Sequence, residues 1–338
     1  MKYLKIVLIF AVSILLLYFF FKDVNFKEVG KIVQSINPLY PIIFLIAHFF
    51  HYFIRAYRWG IILSQYKKKI PLVTLFNFTA IGFFLNLLPG RLGEPVRGIL
   101  LAREEKIDKS YGLASVVVER LIDFLIMILI FLVSLFFLKN QDSPLLLKLK
   151  NVSFYVLPFI VLIFFMFYLI NVPRVFQLVE KIVLFFSKVI PLKLRERVVR
   201  FTLHFLKGLK LNLPAFDFLK LFSSSLLVWL YLIAFYWFLM KAFNINITYI
   251  ETIPYFSILI VFAAIPTPGM TGTLDLGSKI GLTGLYNVPT DTAVAFTLLV
   301  HVMLLLVWVI IGFAAVWKQG LSFKIIKNLK EKEKDEVS

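Results

Sequence analysis

Glu119, Arg120 and Asp123 interrupt an otherwise apolar run at 112–138. An ionisable side chain in hydrocarbon costs about 2.5–3.5 kcal/mol on insertion scales, so it needs a role. Glu119 and Asp123 are helical i,i+4 neighbours and Arg120 is i,i+3 to Asp123, so one helix can pair them internally. Two readings stay open: a self-neutralising cluster, or an Arg120 fork for phosphate whose neighbouring acids orient it or carry protons. His48, His51, Arg55 and Arg58 follow 3-4-3 spacing and share one helix face, although Arg58 and Trp59 also read as interface anchors. No carboxylate or third His accompanies His48 and His51, so neither a metal nor another cofactor is expected. Arg91, Glu94 and Arg97 add a basic mouth nearby, and together these groups suit a phosphate ester. The sequence has no Gly-x-Ser-x-Gly elbow, His-Glu-x-x-His pair or Walker loop. Glu94 and Asp275 lack a partnered nucleophile, so no catalytic residue is assigned.

Elements must hold those groups in a very apolar chain. Hydrophobic residues are 60% of 338, Phe alone numbers 38, and Cys is absent. Mean hydropathy is +0.89. A soluble globule runs at about 45–50% apolar. With a net charge of +18, this composition points to an integral membrane protein with basic loops rather than to a nucleic-acid binder. Full spans are expected at 4–21 (a retained signal anchor), Leu39–Leu63, 112–138, 154–170, 216–243 and 291–317, each near the ~20 residues a bilayer requires. Two more apolar stretches end in helix breakers. Residues 72–88 run into Pro89-Gly-Arg-Leu-Gly93, and 253–265 run into Pro266-Thr-Pro-Gly-Met-Thr-Gly272. Broken backbone at membrane depth survives only inside protein or a wet cavity, so Pro89, Gly90, Gly93, Pro268, Gly269 and Gly272 mark two re-entrant hairpins, the other reading of each being a short full span followed by an ordinary loop.

If both hairpins return to the face they entered, 28 of the 37 Lys and Arg residues fall on one side. That is the positive-inside pattern, with both termini cytoplasmic in a multi-pass protein of the plasma (cytoplasmic) membrane. The hairpins share Pro-Gly-x-x-Gly, each followed by an acid, Glu94 or Asp275, and three spans separate them. They therefore enter from opposite faces, as in an inverted repeat whose broken helices meet at the substrate site. The expected fold is an all-α polytopic membrane protein, with about six full spans plus two oppositely entering hairpins in one domain over 1–338. Residues 173–213 read as basic amphipathic helices on cytoplasmic headgroups, split near Pro191, and 318–338 as a charged tail.

Arg55-Ala-Tyr-Arg-Trp59, Asn86-Leu-Leu-Pro-Gly-Arg-Leu-Gly-Glu-Pro-Val-Arg97, Glu119-Arg-Leu-Ile-Asp123 and the 266–275 segment resemble the lysylphosphatidylglycerol synthase transmembrane region, the flippase-like or UPF0104 family. The family's late motif reads Pro-Gly-Gly-x-Gly-x-x-Glu; here Met270 and Asp275 replace its second Gly and its Glu. In fused members, the resemblance implies, this region translocates an aminoacylated phospholipid made by a cytoplasmic transferase domain, and no segment here is long enough to be such a domain. The expected function is thus translocation of a phospholipid or lipid-linked headgroup. Its phosphate would be held by Arg55, Arg58, Arg91, Arg97 and Arg120 among Glu94, Glu119, Asp123 and Asp275. Expected partners are membrane phospholipids, anionic ones foremost, and a cytoplasmic lipid-modifying enzyme; an oligomer is compatible, nucleic acid is not. The alternatives are a polytopic transferase or accessory subunit of a synthase, and a scaffold for one.

Overall fold

The computed structural model describes residues 2–89, 92–137 and 172–320, with scattered positions between 144 and 169. Gly90, Arg91, the expected span at 154–170 as a unit and 321–338 lie outside the described residues. In chain order the helices are α1 Lys2–Phe21, α2 Phe26–Ser35, α3 Leu39–Leu63, α4 Leu72–Leu85, α5 Gly93–Glu104 and α6 Lys109–Phe137. They continue as α7 Pro173–Phe186, α8 Leu192–Gly208, α9 Ala215–Ala242, α10 Thr252–Ala263, α11 Thr273–Tyr286 and α12 Thr290–Lys318. Among the described residues there is no strand. Pro38, Pro71, Pro191, Pro214 and Pro289 stand immediately before α3, α4, α8, α9 and α12, where a fixed φ and a missing N–H do no harm.

Of the described helices, α3, α9 and α12 are long and apolar enough to cross a membrane, and the bent α1–α2 pair adds up to a fourth span. The 81° bend in that pair was not foreseen from the sequence. Asn25 caps α2 by accepting from the N–H groups of Lys27 and Glu28, and α2 lies against α12.

The two interrupted apolar stretches are helical hairpins. In the first, α4 and α5 run antiparallel at backbone contact distance: a Cβ on Gly93 would meet the Gly82 carbonyl oxygen at 1.8 Å, and one on Gly82 would meet Arg97 Cδ at 2.6 Å. In the second, Gly277 of α11 faces Phe262 of α10 and Gly281 faces Tyr255. The turn between them needs left-handed backbone at Gly269 (φ 57°), Met270 (φ 61°) and Gly272 (φ 82°). Met270 thus occupies a conformation that suits the glycine found there in the resembled motif. The tips of the hairpins touch, with the Gly269 N–H donating to the Asn86 carbonyl at 3.0 Å.

The buried apolar residues fall into two large groups. One gathers α9 and the second hairpin, the other the first hairpin. Three helices thread both groups: α3 has Phe44 in one and Trp59 in the other, α6 has Ile126 and Val116, and α12 has Val300 and Trp308. The buried polar side chains His48 on α3 and Glu119 and Asp123 on α6 sit at the changeover, and His301 lies a turn before it on α12.

Beyond this core, α8 is fastened to the start of α6. Tyr66 Oη donates to the Gly208 carbonyl at 2.6 Å, the Tyr66, Tyr111 and His204 rings stack in series, and His204 Nδ1 lies 2.8 Å from Asp108 Oδ2. Pro191 does separate α7 from α8, through a short 3-10 turn at Ser187–Val189.

Two outcomes are expected. Gly93→Ala should destabilise the chain by about 1–3 kcal/mol through overpacking against α4, read as a lowered thermal midpoint. Partial burial works against the charged form of Asp108, but the Ser110 hydroxyl and N–H and the His204 ring outweigh it and hold its carboxyl below the usual range. A depressed carboxyl stabilises above its unfolded pKa and loses that contribution as pH falls through the folded one. The protection of α8 amides, relative to their intrinsic exchange at each pH, should therefore fall on acidification below about pH 4, and Asp108→Asn should abolish the step.

Candidate functional site

Three helices bring the sequence-predicted charges together. On α3, Arg55 and Arg58 project toward α6, whose Glu119, Arg120 and Asp123 lie one turn apart; α5 delivers Glu94 and Arg97 beside them. The close approach that permits this depends on glycine, because a Cβ on Gly98 or Gly112 would strike the other's carbonyl across the α5–α6 contact.

Glu119 is the hub. Its Oε1 accepts from Arg58 Nη2 at 2.8 Å and its Oε2 from Arg97 Nη2 at 2.5 Å. Arg120 Nη2 reaches the same Oε1 at 3.3 Å. Asp123 Oδ1 accepts from Arg58 Nη1 at 2.5 Å and from the Trp229 indole N–H at 3.0 Å, while Oδ2 faces Arg120 Nη2 at 3.2 Å. Arg120 Nε also stands 3.3 Å from Glu94 Oε2, at the more open edge of the cluster. Arg58 therefore bridges both acids through its fork, a geometry lysine could not reproduce.

Arg58 and Trp59 are fully buried, which overturns the interface-anchor reading: Arg58 neutralises acids inside the bundle, and the Trp59 indole N–H donates to Ser115 Oγ at 3.0 Å. Arg97 packs over the Trp59 ring at 4.5 Å.

Arg55 differs from its neighbours. Its guanidinium is 6% exposed and approaches Asp123 Oδ2 at 3.6 Å and Glu119 Oε1 at 3.9 Å, too far for hydrogen bonds. Among the described residues, its Nε and Nη1 have no hydrogen-bond partner. The ring faces of Phe83 and Trp229 each lie 5.5 Å away. Across the described cluster, Arg55, Arg58, Arg97 and Arg120 oppose Glu94, Glu119 and Asp123, leaving one more cation than anions. One further negative charge would balance the cluster.

Asp275 lies apart from this cluster, at the second hairpin. Its Oδ2 accepts from the Gly272 N–H at 2.7 Å and its Oδ1 faces His301 Nδ1 at 2.7 Å. The other His301 nitrogen, Nε2, faces the Gly269 carbonyl at 2.9 Å. The hairpin tips link the two regions, with Asn86 offering its carbonyl to Gly269 and its side-chain oxygen to the Gly93 N–H at 3.1 Å. His301, Asn86 and Trp229 were missed from the sequence. For His301 the signal existed, an ionisable group within an apolar span; for Asn86 and Trp229 no spacing rule points to the partner. No group of three or more His, Cys, Asp or Glu suited to a metal occurs among the described residues.

With this geometry in view, a family model described as the lysylphosphatidylglycerol synthase TM region matches residues 6–312. A UPF0104 membrane protein of Methanocaldococcus jannaschii is 25% identical over 125 residues, which are 36% of this chain and 37% of that protein. The chain therefore aligns with little more than a third of that relative's length. No solved structure matches.

Removing the hub charge should be severe. Glu119→Gln leaves Arg58 and Arg97 buried without their shared carboxylate and should lower unfolding stability by about 3–5 kcal/mol. Adding Arg97→Gln should recover part of that loss in a double-mutant cycle followed by denaturant unfolding.

Proposed function

Because the chain belongs to the lysylphosphatidylglycerol synthase TM-region family, we propose that this multi-pass membrane protein is a flippase-like translocase for a phospholipid or lipid-linked headgroup. The supporting observation is Arg55, a buried guanidinium with no hydrogen bond among the described residues, in a cluster with a surplus cation. A headgroup phosphate fills both needs at once, since it brings the missing negative charge and acceptor oxygens for the guanidinium fork. Arg58, Arg97 and Arg120 are engaged with carboxylates, so they set the local potential and hold Arg55 in place. Arg91, on the first break, is a further candidate for the entry path. Aromatic faces at Phe83 and Trp229 shield the site from lipid.

In the same proposal the two hairpins are re-entrant and approach from opposite faces, α4–α5 from the cytoplasmic side and α10–α11 from the outer side. Their assignment to opposite apolar groups and their tip-to-tip hydrogen bond support this arrangement. The distribution of Lys and Arg supports cytoplasmic termini in the plasma membrane, with α7 and α8 on anionic headgroups. Leu178, Ile182, Phe185 and Phe186 are exposed on α7, the apolar side an interfacial helix submerges. Such a protein would serve a cytoplasmic lipid-modifying enzyme by moving its product across the bilayer.

The test is translocation of headgroup-labelled phosphatidylglycerol in proteoliposomes. Arg55→Gln should slow transport by about 10–100-fold, the value of one or two hydrogen bonds to a charged group, while leaving the thermal midpoint near that of the parent. Equal rates in a folded Arg55→Gln protein would remove Arg55 from the pathway.

A further inference from the structure

His301 faces an acceptor on both sides of its ring: Asp275 Oδ1 at Nδ1 and the Gly269 carbonyl at Nε2. A neutral imidazole carries one N–H and can serve only one of them. Satisfying both contacts requires a second proton, either as imidazolium beside carboxylate or as neutral imidazole beside a protonated Asp275. Both descriptions have the same proton count and zero net charge. Loss of one proton leaves a net negative charge in a buried site, and an acceptor without a donor.

We propose that Asp275 and His301 form a buried proton-binding site that couples proton exchange to contact between the two helix breaks. The link is Gly269, where His301 and the first break meet. Its carbonyl is held by His301 and its N–H by the Asn86 carbonyl of the first break. With the second proton present, Gly269 is fixed on both sides of its left-handed backbone. With it gone, neutral His301 must abandon either Asp275 or Gly269, and the tip contact loses its brace.

Other ionisable groups leave this pair isolated. Of the elements packed against α12, α4 carries no titratable side chain; α11 contributes Asp275 itself, Lys279, whose ammonium is committed to the carbonyls of Phe19, Phe20 and Lys22, and Tyr286, whose hydroxyl donates to the Glu251 carbonyl. Of the elements packed against α11, α10 carries Tyr255, hydrogen-bonded to Ser278 Oγ, and the later half of α1 carries Tyr18, which is exposed. On α3, the Tyr52 hydroxyl accepts from the Trp308 indole N–H, with His48, His51, Arg55 and Arg58 on the same face. Lys27, Glu28 and Lys31 of α2 belong to the α12 start, where Asn25 N–H donates to Asp291. Residues 264–272 of the break contain no titratable side chain.

The absence of native Cys makes a clean distance measurement available. Leu88→Cys and Ile265→Cys place spin labels on exposed positions of the two breaks, for pulsed dipolar spectroscopy of the full chain in nanodiscs. Raising pH from about 6 to about 9 should shift the population from the short-distance to the long-distance form by at least about twofold. Asp275→Asn retains an acceptor for the Gly272 N–H and donates an amide N–H to His301 Nδ1, freeing neutral Nε2–H for Gly269. This variant should stay in the short form at every pH. A parent distribution that ignores pH, or an Asp275→Asn distribution that moves with the parent's, overturns the proposal. If Asp275→Asn does not fold, His301→Gln is read the same way, since it too must abolish the pH step. The readout involves neither phosphate nor Arg55, so it fails or succeeds separately from the transport reading.

Discussion

Charge buried between apolar layers must be balanced on the spot, and here the balance is struck by groups from three helices around Glu119. A buried ion pair is weak evidence of stability, because desolvation offsets much of its attraction. It does impose a strict geometric demand, since breaking one partner away strands the other. Arg58 and Arg97 can reach Glu119 only if α3, α5 and α6 lie close together. Between α5 and α6 that closeness is provided by the Gly98–Gly112 contact, while Gly82–Gly93 seats α5 against α4. Small residues and buried charge are thus one design: the first lets backbones approach, and the second fixes their register.

The same logic separates the two buried polar centres. The arginine cluster is rich in donors and ends with one cation over, whereas the Asp275–His301 pair is rich in acceptors and is completed by a proton. Their only described backbone link is the hydrogen bond between Gly269 and Asn86. Glu119 and Asp123 stand where α6 passes from one apolar group to the other, whereas Asp275 and His301 lie within the group that holds the second hairpin. Met270 and Leu45 pack against both groups.

Much of this was legible in residue order. Apolar run length located α3 at its observed bounds and α9 and α12 to within a residue, because hydrophobicity in a membrane chain reports length directly. Proline and glycine located both breaks because they cluster there, whereas single ones such as Pro41, Gly82 and Gly277 are carried within helices. Helical spacing also placed Arg55 and Arg58 on one face. Other features depend on partners distant in sequence. Which arginine stays free of hydrogen bonds is decided by α5 and α9 packing against α3 and α6, and no local pattern encodes that. The short α2 was hidden because its ten residues lie between two apolar runs and carry lysines suited equally to a loop. His301 was visible as a letter but silent in meaning until Asp275 and Gly269 were found on either side of its ring.

The pairing of α3 with α6 has a consequence for how the chain is made. Arg58 is synthesised 61 residues before Glu119 and 65 before Asp123. At about 5–20 residues per second, several seconds pass between the appearance of the cations and of their counter-charges. An α3 bearing two unpaired arginines is a poor candidate for release into lipid during that interval. It has to wait at the insertion machinery, near water, until α6 arrives, so the first half of the protein enters the bilayer as an assembled unit rather than helix by helix.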